Sequence, residues 1–279
     1  MSQSAEKIAP FASEFVDAGG IRTHYLAAGA GPPVILVHGG GAGADAFGNW
    51  KDCIPLLATR FRVLAMDMVG FGKSAKPAPA TYTYSQKNRN AHLAAFIETI
   101  GSRPVALIGN SMGGATALGV CMERPELVSR LVLMGSAGLR TADQPTAALK
   151  TLSEYDFTVE GMRRLIAALT GPRYRPDDDT VRYRHQLTLD PEIKAALQAI
   201  NGIARQGGLL YDEAAIRAVK TPTLVVNGKL DQISPLARGL KFLELLENSS
   251  GYFVPHCGHW VMIEAPREFC GVVTAFLTT

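Results

Sequence analysis

Short apolar runs, rich in β-branched residues and bounded by Gly or Pro, recur at regular intervals along the chain. Such runs are typical of strands, and eight of them stand out, at residues 13–16, 21–27, 33–37, 62–66, 104–108, 131–134, 223–227 and 251–254. The first two predict a hairpin with its turn at residues 17–20. From Pro33 onward the runs alternate with helical patterns, which indicates crossover connections and a mostly parallel sheet of the α/β class. The apolar run at residues 33–37 has no polar alternation, as expected for a strand covered on both faces.

The pattern of short apolar runs that predicts strands is interrupted between residues 136 and 218. This region is richer in charge and in helical patterns, and the strand pattern resumes only with the run at residues 223–227. We therefore predict an inserted helical lid over residues 136–218, on a core built from residues 1–135 and 219–279. The acidic run from Asp177 to Asp179 inside this region is interpreted as a helix cap rather than a metal site.

The composition fits an ordinary globular protein and excludes several other classes. Hydrophobic residues make up 47% of the 279 positions and charged residues 19%. A chain of this length buries most of its unfolded surface and needs no disulfide or metal staple, and disorder, collagen and coiled coil are excluded. The net charge is only +3 and the charges are dispersed, which gives no support to a nucleic-acid partner or to an acidic membrane surface.

Cysteine usage and the apolar stretches favour a cytoplasmic protein. The cysteines are far apart and form no Cys-x-x-Cys pair, which is typical of free thiols in a reducing compartment; they are Cys53, Cys121, Cys257 and Cys270. Residues 1–10 lack the apolar segment of a signal peptide. Residues 104–122 carry no charge, but Asn110, Ser111 and four glycines divide them into a strand, a turn and a helix rather than a membrane span.

The strongest motif is Gly-Asn-Ser-Met-Gly-Gly at residues 109–114, which follows a predicted strand and precedes a helical pattern. In that context Gly-x-Ser-x-Gly indicates a nucleophile elbow, with Ser111 on a strained turn above the sheet. Side chains at Gly109 and Gly113 would collide with neighbouring backbone. The helix that begins at Met112 would direct its free N–H groups at an anion formed there.

A serine needs a base within hydrogen-bond reach, and that base needs an orienting acid. His256 and His259 both follow the last predicted strand, and we choose His259 because the Cys-Gly pair before it supplies a flexible loop, whereas His256 still belongs to the end of the strand. Asp231 follows the strand at 223–227 and is the preferred acid; Asp212 and Glu213 are rivals but lie before that strand. A metal site at His256 and His259 is not predicted, because the sequence offers no further ligands at a suitable spacing.

An oxyanion requires hydrogen-bond donors that are in place before the reaction. The segment His-Gly-Gly-Gly at residues 38–41 ends a predicted strand, so we expect the N–H groups of Gly40 and Met112 to supply these donors. His38 is interpreted as a structural hydrogen-bonding residue.

Two segments of the sequence resemble nucleotide-binding motifs, but neither is interpreted as a nucleotide site. The glycines at 39–41 resemble a dinucleotide fingerprint, but residues 45–50 after them are a poor helix-forming stretch and the serine elbow would be left unexplained. The run Gly-Lys-Ser at 72–74 ends like a phosphate-binding loop, but Asp67 stands where the first glycine is required.

Several motifs together resemble the α/β-hydrolases that act on meta-cleavage products, in particular the branch with aryl substituents from carbazole- and biphenyl-type pathways. The resemblance runs nearly end to end, and it is carried by HGGGAGADAFGNW, DMVGFGKSAKP, GNSMGG, VLMGSAG, GKLDQISP and PHCGHWVMIE. The chain order Ser111, Asp231, His259 is the order of that fold. Ala42 stands where the commoner form of the first motif has proline. The resemblance implies an eight-stranded sheet flanked by helices.

The resemblance also implies the reaction. The substrate would be a 2-hydroxy-6-oxohexa-2,4-dienoate with a group at C6, cleaved by water into 2-hydroxypenta-2,4-dienoate and a carboxylic acid, with no metal or organic cofactor. It assigns the dienoate carboxylate and 2-oxo group to Arg184, Asn49 and Asn110, with Arg182 as an alternative to Arg184. Trp260 would pack against the dienoate, while Gly41 and Ile233 would complete the substrate site. A homo-oligomer is expected on the same ground.

Alternatives remain open at this stage. A carboxylesterase or lactonase would share the same three catalytic residues, although a neutral ester needs no carboxylate clamp. A ligand-sensing protein of the same fold would bind a small molecule and signal through its lid. Ser111 itself is compatible with two roles, as the nucleophile or as the base that activates water.

Overall fold

The computed structural model describes residues 11–140 and 146–279, and its centre is one eight-stranded sheet. The strands are β1 (Ala12–Asp17), β2 (Arg22–Ala28), β3 (Pro33–Val37), β4 (Arg62–Met66), β5 (Val105–Asn110), β6 (Val128–Met134), β7 (Thr223–Gly228) and β8 (Ser249–Val254). Their order across the sheet is β1-β2-β4-β3-β5-β6-β7-β8. All eight predicted strands are present, which confirms the predicted fold class.

The sheet changes direction where the sequence pattern predicts it. β1 pairs antiparallel with β2 through a turn in which Gly20 N donates to Asp17 Oδ1 at 2.7 Å. β2 also runs antiparallel to β4, whereas the pairs from β3 to β8 are parallel. The predicted hairpin and the mostly parallel sheet are therefore both confirmed.

Apolar side chains cover both faces of the sheet. In β3, the residues from Val34 to Val37 are at most 1% exposed, which confirms that this strand is covered on both sides. One face packs Leu93, Phe96 and Leu118, and the other packs Trp50 and Phe269. Burying a side chain of this size stabilises the fold by about 1.5–3 kcal/mol.

Seven of the helices described accompany the strands of the core. They are α1 (Ala46–Trp50), α2 (Ile54–Leu57), α3 (Gln86–Thr99), α4 (Met112–Glu123), α10 (Leu236–Leu245), α11 (Val261–Glu264) and α12 (Pro266–Leu277). The existence of α1 corrects one expectation, because residues 45–50 were judged a poor helix-forming stretch. Asp45 overcomes the weak propensity by accepting from Gly48 N at 2.6 Å, while Asp67 accepts from Ala46 N at 2.7 Å.

Between β6 and β7 the described residues form helices and connecting loops, with no strand. They are α5 (Ala147–Ser153), α6 (Val159–Leu169), α7 (Asp178–Leu187), α8 (Pro191–Arg205) and α9 (Glu213–Arg217). Asp177 accepts from Thr180 N at 2.6 Å and begins α7, as the cap interpretation expects. The predicted boundaries of the lid and of the two core segments stay predictions, and residues 1–10 and 141–145 of those ranges lie outside the described residues.

The uncharged stretch at residues 104–122 folds as β5, a turn and the start of α4, as predicted. In residues 11–140 and 146–279, no helix has the length and apolarity needed to cross a membrane.

Candidate active site

Ser111 lies on a sharp turn between β5 and α4, in a backbone conformation that L-residues rarely adopt. Its φ is 53° and its ψ is −117°. A Cβ on Gly109 would lie 2.5 Å from the carbonyl oxygen of Gly113, and one on Gly113 would lie 2.4 Å from that of His38. The two glycines thus allow the close approach that the elbow requires, for the reason inferred from the sequence.

His259 and Asp231 form a buried hydrogen-bonded pair. The distance from His259 Nδ1 to Asp231 Oδ2 is 2.8 Å, and the two residues are 3% and 6% exposed. Asp231 Oδ1 accepts from the N–H groups of Ile233 and Ser234, both at 2.8 Å. Because an ionised carboxylate only accepts, Nδ1 carries the proton and Nε2 of His259 is left as a base. By contrast, His256 is exposed and lies two positions beyond the end of β8, which ends at Val254.

The serine and the histidine–aspartate pair meet at the end of β6. Ser111 N donates to Met134 O at 3.1 Å, and Ala137 N donates to Ser111 O at 3.0 Å. Between these partners lies Gly135, where a Cβ would be 3.0 Å from His259 Nδ1 and 3.1 Å from Asp231 Oδ2. The sequence analysis did not single out Gly135, although its φ of 51° and these close contacts both favour a residue without a side chain.

The two predicted oxyanion donors come from adjacent segments. A Cβ on Gly40 would lie 2.9 Å from Met112 Sδ, so the loop after β3 packs directly on the first turn of α4. The first N–H groups of a helix lack partners within the helix and favour an anion. His38 lies beneath this loop: Nδ1 contacts Gly39 O at 2.7 Å and Nε2 accepts from Met68 N at 3.0 Å. Burial lowers the pKa of His38, which keeps it neutral in this structural role.

Arg184, on α7, is a fully buried cation next to this site. It donates to Gly43 O at 3.0 Å and to Gly48 O at 2.7 Å, and its guanidinium carbon lies 4.2 Å from the centre of the Trp260 ring. Within residues 11–140 and 146–279, its buried Nε has no hydrogen-bond partner. Burial lowers the pKa of Arg184. Such a cation, held by neutral oxygens, favours an anionic ligand.

The alternative arginine points elsewhere. The side chain of Arg182 is 63% exposed and pairs with Asp179 at 2.8 Å on the protein surface. Residues two apart on a helix lie on different faces, so only one of them can face the core. The structure therefore brings Arg184, and not Arg182, to the candidate site.

Two amides connect Arg184 to the elbow. Arg184 Nη2 donates to Asn49 Oδ1 at 3.3 Å, Asn49 Nδ2 donates to Asn110 Oδ1 at 3.5 Å, and Asn110 Nδ2 donates to Met134 O at 3.2 Å. All three side chains are at most 3% exposed. The predicted polar residues thus form one continuous chain of hydrogen bonds from the lid region to the elbow.

The remaining predicted substrate residues are Trp260, Ile233 and Gly41. Trp260 is buried and directly follows His259. Ile233 is half-buried against the apolar cluster that contains Trp260, and Gly41, with φ 118°, lies in the loop between β3 and α1. Trp260 is thus in contact with Arg184, and the assignment of Gly41 and Ile233 to the substrate site stays a prediction.

Glu264 was missed by the sequence analysis. Its Oε1 accepts from Gly258 N at 2.9 Å and its Oε2 from Gly171 N at 2.7 Å, while His259 N donates to Leu169 O at 2.8 Å. One carboxylate thereby joins the chain that follows α6 to the loop that carries His259. No local motif could reveal this link, because Gly171 is 93 positions away from Glu264 in the sequence.

Glu264 gives the protein a specific dependence of stability on pH. Burial raises the pKa of Glu264 to about 7, in spite of the hydrogen bonds that it accepts. The folded state therefore holds its proton more tightly than the unfolded state, where glutamate has a pKa of about 4.3. Stability from this group is fully present below about pH 4.3 and is lost as the pH rises through about 7.

We expect the Glu264→Gln variant to gain in free energy of unfolding, relative to the wild type, as the pH is raised from about 5 to about 8. Denaturant titrations at a series of pH values measure this difference. Glu268→Gln, which replaces an exposed carboxylate on α12, is the matched control for the loss of a negative charge. A pH-independent difference between Glu264→Gln and the wild type would contradict the prediction.

Comparison with known proteins first defines the class. The profile of the family described as alpha/beta hydrolase fold matches residues 32–266. The chain therefore belongs to the α/β-hydrolase fold family, as its sheet order and its serine elbow indicate.

Individual relatives then define the branch. The chain is 48% identical over 270 residues to the 2-hydroxy-6-oxo-6-(2'-aminophenyl)hexa-2,4-dienoic acid hydrolase of Metapseudomonas resinovorans, covering 96% of this chain and 91% of the relative. The crystal structure of a serine hydrolase involved in carbazole degradation is also 48% identical, with a TM-score of 0.88 over 96% of this chain and 99% of that one. A meta-cleavage product hydrolase from Pseudomonas fluorescens IP01 is 31% identical, with a TM-score of 0.89 over 95% and 97% of the two chains. Within the fold family this chain thus groups with the meta-cleavage-product hydrolases, which confirms the resemblance.

Proposed function

We propose that this protein hydrolyses the carbon–carbon bond of 2-hydroxy-6-oxo-6-arylhexa-2,4-dienoates, giving 2-hydroxypenta-2,4-dienoate and an aromatic carboxylic acid. The observation that carries the proposal is the buried Arg184, whose Nε is free of partners in the part of the chain described. A neutral ester brings no charge to such a cation, whereas a dienoate carboxylate neutralises it. The relative that is 48% identical is named for a substrate of this class with an aminophenyl group.

The roles follow from the chemistry of the substrate. Arg184, with the amides of Asn49 and Asn110, holds the carboxylate and the 2-oxo group, and Trp260 packs against the planar dienoate. Gly41 and Ile233 complete the substrate site, with Ile233 on the side of the C6 group. The helices α5–α9 act as the lid, because α7 supplies Arg184 while the end of α6 contacts the His259 loop.

The reaction proceeds in two stages. First the enol ketonises, with His259 carrying a proton to C5 while Arg184 holds the carboxylate end. Ser111, activated by His259 and Asp231, then attacks the C6 carbonyl, and the oxyanion is bound by the N–H groups of Gly40 and Met112. Breaking the C5–C6 bond expels the dienolate of the ketonised intermediate, and water releases the acid from Ser111.

The cysteines and the family resemblance bear on the setting of this activity. The four cysteines are free and buried, which fits a reducing cytoplasm. A homo-oligomer remains a prediction from the family resemblance.

A comparison of two substrate classes tests the proposal. The purified protein is mixed with the yellow 2-hydroxy-6-oxo-6-phenylhexa-2,4-dienoate, and the visible absorbance is followed beside the hydrolysis of simple aryl esters. We expect many turnovers of the dienoate and slower ester cleavage. Persistent colour together with efficient ester cleavage would overturn the proposal in favour of an esterase.

A further inference from the structure

Tyr183 and Arg184 are neighbours on α7 and bind the same short segment of the core. Arg184 donates to the carbonyl oxygens of Gly43 and Gly48, as described above. The hydroxyl of Tyr183 donates to Oδ2 of Asp45, which lies between those two glycines in the sequence. The Tyr183 ring also packs edge-on against Phe47, with the ring centres 5.1 Å apart. Two different side chains of the lid thus attach to one turn of the core.

Asp45 is a buried acid close to the buried cation. It is 5% exposed, and its Oδ1 accepts from Gly48 N at 2.6 Å. A Cβ on Gly48 would lie 3.0 Å from Asp45 Oδ1 and 3.4 Å from the guanidinium carbon of Arg184, so the two charged groups flank the same glycine. Of the groups that stabilise the charged form of Arg184, Asp45 contributes most.

Asp45 nevertheless makes no ion pair with Arg184 in the described residues. Its two oxygens are engaged by Gly48 N and by the Tyr183 hydroxyl, while the Arg184 donors that are bonded go to uncharged oxygens. A guanidinium and a carboxylate buried this close would otherwise favour a charge-assisted, bidentate pair. Such an internal pair would neutralise the cation and would compete with any carboxylate that enters the site.

We propose that Tyr183 is a positioning residue that holds the carboxylate of Asp45 away from Arg184 and so reserves the Arg184 charge for the carboxylate of the substrate. This inference rests on the proposed function, in which Arg184 binds the dienoate. It adds one element to that function: Tyr183 restrains Asp45, whose carboxylate would otherwise neutralise the neighbouring cation of Arg184.

Removal of the Tyr183 hydroxyl alone tests the inference. Tyr183→Phe keeps the ring that packs on Phe47 but releases Asp45 Oδ2. We expect KM for the 6-phenyl dienoate to rise about tenfold, because a charged hydrogen bond to the substrate is weakened, while kcat changes little. The kcat/KM for a neutral aryl ester should stay unchanged. Tyr155→Phe is the matched control, since its hydroxyl contacts Thr188 at 3.0 Å within the lid, and it should leave KM unchanged.

A double variant separates positioning from a merely structural role. In Tyr183→Phe combined with Asp45→Asn, the side chain released by the first substitution carries no charge, so KM should return to near the wild-type value. A raised KM that Asp45→Asn does not restore would overturn the proposal. An equal loss of activity on the dienoate and on the ester would also overturn it, because a structural defect acts on both.

A crystal structure of Tyr183→Phe gives a readout that does not depend on the substrate. We expect Asp45 to have turned towards Arg184, at hydrogen-bond distance from the guanidinium. An Asp45 side chain that keeps its wild-type orientation would contradict the inference even if the wild type is active. A wild-type protein with no dienoate turnover would instead contradict the proposed function, so the two failures are distinct.

Discussion

Ser111→Ala is expected to lower kcat for the 6-aryl dienoate by at least about 10³-fold, because the variant has no hydroxyl at this position to attack the C6 carbonyl. Alanine leaves Arg184 and both asparagines in place, so the variant should still bind the yellow substrate. The strained backbone at position 111, with φ 53°, suits alanine no worse than serine. Stopped-flow absorbance measures binding and turnover in the same experiment.

Ser136→Ala supplies the control for that experiment. Ser136 lies at the same end of the sheet, is 2% exposed, and among the described residues donates its hydroxyl only to the neighbouring carbonyl of Ala137. Its loss should change kcat little. A Ser111→Ala variant that retains a tenth or more of the wild-type kcat would contradict the assignment of Ser111. Mass spectrometry of the wild type quenched during turnover should detect the acyl group on the Ser111 peptide.

Arg184→Gln is expected to reduce kcat/KM for the dienoate by about 10²-fold. Truncating one partner of a buried charged pair costs about 2–5 kcal/mol, and tenfold in an equilibrium corresponds to about 1.4 kcal/mol. Most of the loss should appear in KM, because the carboxylate is bound in both the ground state and the transition state. Steady-state kinetics on the dienoate and on a neutral aryl ester separate the two effects, since the ester should be affected far less.

Arg182, two positions before Arg184, provides a matched control. Arg182→Gln removes an exposed arginine of the same helix, so its kinetics should equal those of the wild type within about twofold. Arg184 also holds Gly43 and Gly48, and thermal unfolding of both variants shows whether the fold is retained. Equal losses on dienoate and ester in Arg184→Gln would indicate a structural role and would refute the clamp.

Most of the sheet was predictable because its signals are local. Each strand is a short apolar run between turn residues, and each of the eight was located to within a few residues. The elbow was predictable because its Gly-x-Ser-x-Gly spacing is a local pattern, although the contact that requires Gly113 is with the distant His38. The order of Ser111, Asp231 and His259 along the chain could be predicted from the order of the strands that precede them.

The parts that could not be predicted depend on contacts between distant segments. The sequence could not choose between Arg182 and Arg184, because the choice depends on which face of α7 meets the core. The role of Glu264 depends on Gly171, and that of Tyr183 on Asp45, 138 positions away. The short helix α1 escaped prediction because its caps, Asp45 and Asp67, outweigh the propensities of the residues inside it.

Identification of the products tests the central claim most directly, because loss of colour alone can also arise from ketonisation of the enol. The wild-type protein is incubated with an excess of 2-hydroxy-6-oxo-6-phenylhexa-2,4-dienoate, and the products are separated and quantified by chromatography. Carbon–carbon hydrolysis predicts benzoate and 2-hydroxypenta-2,4-dienoate in equal amounts, many per protein molecule, and neither from Ser111→Ala. Loss of colour without benzoate would contradict the proposed function.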